Sequence, residues 1–121
     1  MRPPVEHVRV SAKGKDILIK IKRNTGLEHW NEICRIALCR SLANPTPPTK
    51  FDKPGDNAID IEWKTFAGQY HNELATLLIL RARADNINTS SRELLSGYLR
   101  NHIERGILSL QNTKSLQSLW L

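Results

Sequence analysis

The 121-residue sequence predicts a mostly α, single compact domain: four to five helices, a short N-terminal strand, and a second short strand allowed near 59–63. Three observations carry this. Apolar residues recur at helical spacing through long segments. Ser, Gly and Pro stand where those segments begin and end. With 40% hydrophobic and 25% charged residues, the composition is that of a folded chain with one modest core.

Residues 5–10 (VEHVRV) are valine-rich, lie between Pro-Pro and Ser11, and read as a strand. Ser11 then caps a helix over 12–24 with Ile17, Leu18 and Ile21 on one side, and Gly26 supplies its left-handed stop. The next helix is the clearest: Trp30, Ile33, Cys34, Ala37, Leu38 and Ser41 keep the spacing of one buried face, and Asn44-Pro45 ends it. Residues 44–56, rich in proline, form a surface loop within the domain. Ile59, Ile61 and Trp63 alternate with charged neighbours, as in a half-exposed strand. A third helix is expected over 66–84, with Phe66, Tyr70, Leu74, Leu77, Leu78 and Arg81 along one stripe. Ser90 and Glu93 match a capping box that opens a fourth helix to about 105, with Leu94, Leu95, Tyr98, Leu99, His102 and Ile103 inward and Gly106 as its end. The apolar tail after Gly106 suits a short fifth helix docked on the body or on a partner.

The net charge of +6 is unevenly placed. Residues 1–40 hold nine basic and four acidic side chains, and the remainder is close to balanced. Such asymmetry is the footprint of a polyanion binder. At a helical step of about 100° per residue, Ile17, Ile21 and Leu18 lie about 40° to 140° from Lys13. Lys13, Lys15, Lys20, Lys22 and Arg23 occupy the opposite half, interrupted by Asp16 and Ile19. Two readings stand for this strip: a surface for DNA phosphates, or a solvated lysine face with Asp16 and Lys20 paired four residues apart.

The strand–helix–helix opening suggests a further alternative, a ribbon-helix-helix dimer reading bases through alternate strand residues. The sets available, Glu6, Val8 and Val10 or Val5, His7 and Arg9, make poor base readers.

No catalytic constellation is legible. Cys34 lies on the apolar stripe and Cys39 about 140° around the wheel, so neither a CxxC pair nor a facing dithiol arises. Both are expected to be structural. His7, His29, His71 and His102 form no metal-ligand spacing, with His102 expected in the core. Asp52, Asp56, Asp60 and Glu62 cluster near the mid-chain loop without the companion lysine of a nuclease site. Trp30 and Trp63 are expected in the core, leaving Trp120 as the aromatic candidate for an exposed contact. No metal or other cofactor is expected. The longest apolar run, Leu77–Leu80, is too short to span a bilayer, and no signal-peptide pattern opens the chain, so the expected compartment is the cytoplasm.

Several segments resemble the DndE family of the bacterial DNA phosphorothioation system. They are Thr25-Gly26-Leu27, Asn31, Cys34-Arg35-Ile36-Ala37 and Ser41-Leu42, then Trp63-Lys64-Thr65-Phe66-Ala67-Gly68, then His102-Ile103-Glu104-Arg105-Gly106-Ile107. The resemblance runs over roughly residues 5–110 and is least secure in the tail. It implies a compact, mostly α accessory protein without catalytic groups, in a system that replaces a non-bridging phosphate oxygen of DNA with sulfur. It further implies binding to the backbone of double-stranded DNA with a preference for nicks, and association with the other Dnd modification proteins. Self-association, tetramers included, is implied without a fixed state. The family's DNA contacts, lysines of the first helix, fall here in the region of Lys13, Lys15, Lys20 and Lys22. An assembly adaptor with little DNA binding of its own is the rival function.

Overall fold

The computed structural model describes residues 2–51, 55 and 58–119. Its element order is β1 (His7–Val10), α1 (Ala12–Thr25), α2 (Trp30–Ala43), β2 (Ile59–Glu62), α3 (Trp63–Ala67), a 3-10 turn (Gly68–Tyr70), α4 (His71–Ala84), α5 (Arg92–Ser109) and a second 3-10 turn (Gln117–Leu119). The mostly α domain with a short N-terminal strand pair is the predicted fold class.

The optional second strand is present. β1 and β2 pair antiparallel, with His7 opposite Glu62 and Arg9 opposite Asp60. Val8 and Val10 turn into the core, while His7 and Arg9 face outward. In this two-stranded sheet β1 is paired with β2 of its own chain.

α1 follows its sequence signals. The Ser11 side chain accepts the Gly14 N–H, and Gly26 adopts φ 77° and closes the helix with its N–H on the Lys22 carbonyl. Gly14, Ile17, Leu18 and Ile21 are its buried residues. α2 buries Ile33, Cys34, Ala37, Leu38 and Ser41 and ends at Ala43, before Asn44-Pro45.

Four expectations are corrected. The helix expected over 66–84 is two helices joined by a 3-10 turn. Gly68 stands at φ 59°, which stops α3, and a side chain there would also crowd the Arg35 guanidinium, 3.0 Å from the position of a Cβ. The break rotates the stripe, so Tyr70 and Leu77 are exposed while Leu74, Ala75, Leu78 and Ala82 are buried. Second, Ser91, not Ser90, caps α5, accepting the Leu94 N–H. Leu94 consequently faces solvent. Third, α5 runs through Gly106 to Ser109. Here glycine serves proximity: a Cβ on Gly106 would lie 1.9 Å from the Ala37 carbonyl oxygen. The main chains of α2 and α5 therefore touch, and these helices form the most extensive contact of the fold. The tail forms a 3-10 turn in place of a fifth α-helix, and its Leu110 and Leu119 are buried on the body.

Candidate nucleic-acid interface

α1 sets the geometry of the basic face. Its core side is fixed by Ile17, Leu18 and Ile21, so Lys13 and Lys20 fall on one flank and Lys15 and Lys22 on the other. Lys13, Lys20 and Arg23 are exposed, and Lys15 and Lys22 are half-buried. Asp16 and Ile19 share the crest and are also exposed. None of the five basic residues makes an ion pair among the described residues, and the Asp16–Lys20 pair is not formed. One contact was missed from sequence. The Lys22 ammonium sits 4.2 Å from the centroid of the Trp30 ring. The Gly26 turn brings Trp30 back beside the last turn of α1, so this tryptophan is a half-buried platform for a lysine and not part of the core. The signal was present in the two residues flanking a left-handed helix stop, but their facing depends on the path of residues 26–29.

A different surface lies between α2 and α4. It is an apolar groove of about 740 Å³ lined by Leu27, Ile36, Cys39, Leu74, Leu77 and Leu116, with Tyr70 at its side. Leu77, Tyr70 and Leu116 are among the large apolar side chains left in solvent.

A polar network under the C-terminal end of α2 was also missed. Arg81 donates to the carbonyls of Leu42 (2.9 Å), Asn44 (2.8 Å) and Thr46 (3.1 Å), and Nε reaches Asp85 at 3.1 Å. Arg105 donates to the Ser41 hydroxyl (2.8 Å), the Ser41 carbonyl (2.7 Å) and the Thr46 carbonyl (2.6 Å). Two cations thus satisfy carbonyls that the helix end leaves open, where its dipole is negative. Tyr98 donates to Asp85, and burial together with that bond raises the phenol's pKa. Ser41 also meets His102 Nδ1 at 2.7 Å. The Ser41 oxygen thus takes the Arg105 Nε–H and meets the imidazole, whose Nε2 is buried without a partner among the described residues. His102 is fully buried, as expected. Burial, then the charges of Arg105 and Arg81, push its pKa down to about 4.

Glu104 forms the other interior charge. Its carboxylate accepts the Ser11 N–H at 2.7 Å and the Ser11 hydroxyl at 2.9 Å, so α5 clamps the start of α1. A carboxylate is favoured there by the helix dipole and the free N–H groups.

Cys34 is buried, and its thiol is pushed up to about 12, chiefly by burial. Cys39 is exposed, yet partial burial of its sulfur raises its pKa too, against the opposing pull of Arg35. Neither is an activated thiolate. At neutral pH a maleimide should label Cys39 slowly and Cys34 only after unfolding, as mass spectrometry of intact and denatured protein would show. Cys39→Ser should leave DNA modification in cells unchanged. Loss of modification by a folded Cys39→Ser protein would contradict a structural role.

Asp52 and Asp56 of the mid-chain acidic group, and Trp120, lie outside the described residues. Asp60 is engaged across the sheet, its carboxylate 2.9 Å from His7 Nδ1. Among the described residues no group of three or more His, Cys, Asp or Glu could hold a metal ion, and no helix is long and apolar enough to cross a membrane.

The fold and surface define a small helical domain with a basic first helix and an apolar groove between α2 and α4. The family model for DndE, the DNA sulphur modification protein, matches residues 7–118. The chain belongs to the DndE family. No curated protein is significantly similar to it.

Proposed function

We infer that this protein is a non-catalytic accessory subunit of DNA sulphur modification that holds the phosphate backbone of double-stranded DNA on the outward face of α1. The observation that carries this reading is that Lys13, Lys15, Lys20, Lys22 and Arg23 occupy the outward half of α1 and make no ion pair among the described residues, Lys22 resting on the Trp30 ring. Residues 13–23 cover about 15 Å of helix axis. Over that length one DNA strand presents about four phosphates, at about one per 3.4 Å. Backbone contacts carry no base information, so binding is nearly independent of sequence. A nick makes the duplex easier to bend, which favours a protein that grips a deformed backbone.

On duplex DNA, log affinity should fall against log salt with a slope of about −3 to −4, four phosphates being neutralised. Each Lys→Ala change should reduce the slope by about one unit. The test is Lys15→Ala combined with Lys22→Ala, in a shift assay at several salt concentrations with circular dichroism as the fold control. Binding as tight as the parent's at every salt concentration would refute the assignment.

The adaptor reading has its own support in the apolar groove between α2 and α4, where Leu77 is exposed in mid-helix. If the lysine variant keeps both DNA binding and modification while Leu77→Glu loses capture of the other Dnd proteins, the adaptor reading prevails.

A further inference from the structure

The β1–β2 ladder leaves one side of β1 open. Trp63 N–H donates to the Glu6 carbonyl at 3.0 Å, which makes Glu6 and Trp63 a hydrogen-bonded pair. Bonded and non-bonded pairs alternate in an antiparallel ladder. With the register observed, Val8 and Val10 therefore bond to β2, while the N–H and C=O groups of His7 and Arg9 point the other way. Among the described residues these groups have no hydrogen-bond partner. They open onto a cleft of about 370 Å³ between β1 and the first turns of α5, lined by Val5, His7, Arg9, Arg92 and Ser96 among others. A smaller recess of about 30 Å³ continues from it to Arg100, whose Nε is buried without a partner.

We propose that this edge of β1 is a docking site for an extended segment of a partner protein, added as a third strand with acidic side chains alternating with apolar ones. The main-chain groups decide between macromolecules. His7 and Arg9 offer donors and acceptors together, and an extended peptide answers both, whereas a phosphate backbone supplies acceptors alone. Charge decides the side chains. Arg9 and Arg100 stand at the inner end of the cleft, while Arg92, whose guanidinium donates to the Pro3 carbonyl at 3.0 Å, lies with Glu6 and Glu93 at the Val5 end, so the occupant's carboxylates belong near Arg9. The strand already paired with β1 displays the same chemistry: in β2, Ile59 and Ile61 alternate with Asp60 and Glu62, which lie opposite Arg9 and His7. A second copy of β1 is the poorer partner, because centred on Val8 it would set His7 against Arg9 and give Arg9 no carboxylate opposite it. This surface is separate from the lysine face of α1.

The probe is a capped peptide with the sequence of residues 59–63 (IDIEW), beside a version with lysine at both acidic positions. The acidic peptide should slow amide exchange at His7 and Arg9, read by NMR, without accelerating exchange at Ile59 and Ile61. The lysine peptide should bind at least tenfold more weakly. Arg9→Pro removes an N–H from the open side only, which an edge strand tolerates, and should abolish binding with the melting temperature little changed. Arg9→Glu keeps the N–H and should reverse the charge preference, which covers the case of a misfolded proline variant. Four results would overturn the proposal: no binding at millimolar peptide, equal binding by a folded Arg9→Pro protein, displacement of β2 by the peptide, or protection of the same amides by nicked duplex DNA or by self-association in its place.

Discussion

Gly106→Ala should destabilise the protein by about 3 kcal/mol or more, despite alanine's higher helix propensity. In an exposed helix interior the same change gains about 1 kcal/mol. Here the added Cβ would stand 1.9 Å from the Ala37 carbonyl oxygen and 2.9 Å from its Cα. Those are main-chain atoms, so no side chain can rotate away, and α2 and α5 must separate. Separation loosens Ile33, Leu38, Leu99 and Ile103, all fully buried, and overpacking of this kind lies at the severe end for single substitutions. Gly97 of the same helix supplies the control. A Cβ there meets nothing nearer than the flexible end of Arg100, at 3.7 Å. Gly97→Ala should be neutral or slightly stabilising. Urea titrations of the two variants beside the parent check the contrast, and Gly106→Ala should melt roughly 10 °C or more lower. Equal stability of both variants would mean that the helices are not in main-chain contact.

The same position shows what the sequence could and could not tell. Gly106 reads as a helix stop because glycine after a helical stripe usually is one. The competing cause, a partner backbone at van der Waals distance, involves a residue 69 positions away and has no local signature. Signals that act within one turn were legible: Ser11 and Gly26 bound α1, and the valine and isoleucine alternations mark both strands. Gly68 looked like a weak spot in one helix, but its positive φ turned it into a joint, and the turned stripe left Leu77 in solvent. The basic face of α1 was legible as a pattern of charge, since it depends only on helical period and three apolar residues.

The segments that carry the family resemblance prove to be those that hold the fold. Thr25 and Gly26 close α1. Arg35 donates to the Phe66 carbonyl beside Gly68. Ser41 meets His102 and Arg105, Glu104 clamps Ser11, and Gly106 lets Ala37 approach. Apart from the Thr25–Gly26 helix stop, each is explained by a contact between elements distant in sequence. The lysines of α1 lie outside these motifs.

Acid should weaken the protein through His102, by about 3 kcal/mol between neutral pH and pH 4. The unfolded imidazole takes up a proton near 6.5, whereas the folded one resists until about 4. The unfolded state therefore binds more protons in this window, and stability falls as pH falls through it. At about 1.4 kcal/mol per pH unit the full effect is about 3 kcal/mol, present above pH 6.5 and lost by pH 4. The structural cause is burial of the imidazole, followed by the charges of Arg105 and Arg81. A proton added to the ring would be a charge buried beside two guanidinium groups. Carboxylates titrate in part of the same range, so the His102 contribution needs a reference. His102→Asn can keep a hydrogen bond to Ser41 and cannot titrate. It should lower stability at pH 7 by about 1–3 kcal/mol through lost packing, yet flatten the profile between pH 6.5 and pH 4. Denaturant unfolding of both proteins at half-unit pH steps measures the difference. Parallel profiles would place the acid sensitivity elsewhere and would mean that His102 is free to protonate in the folded protein.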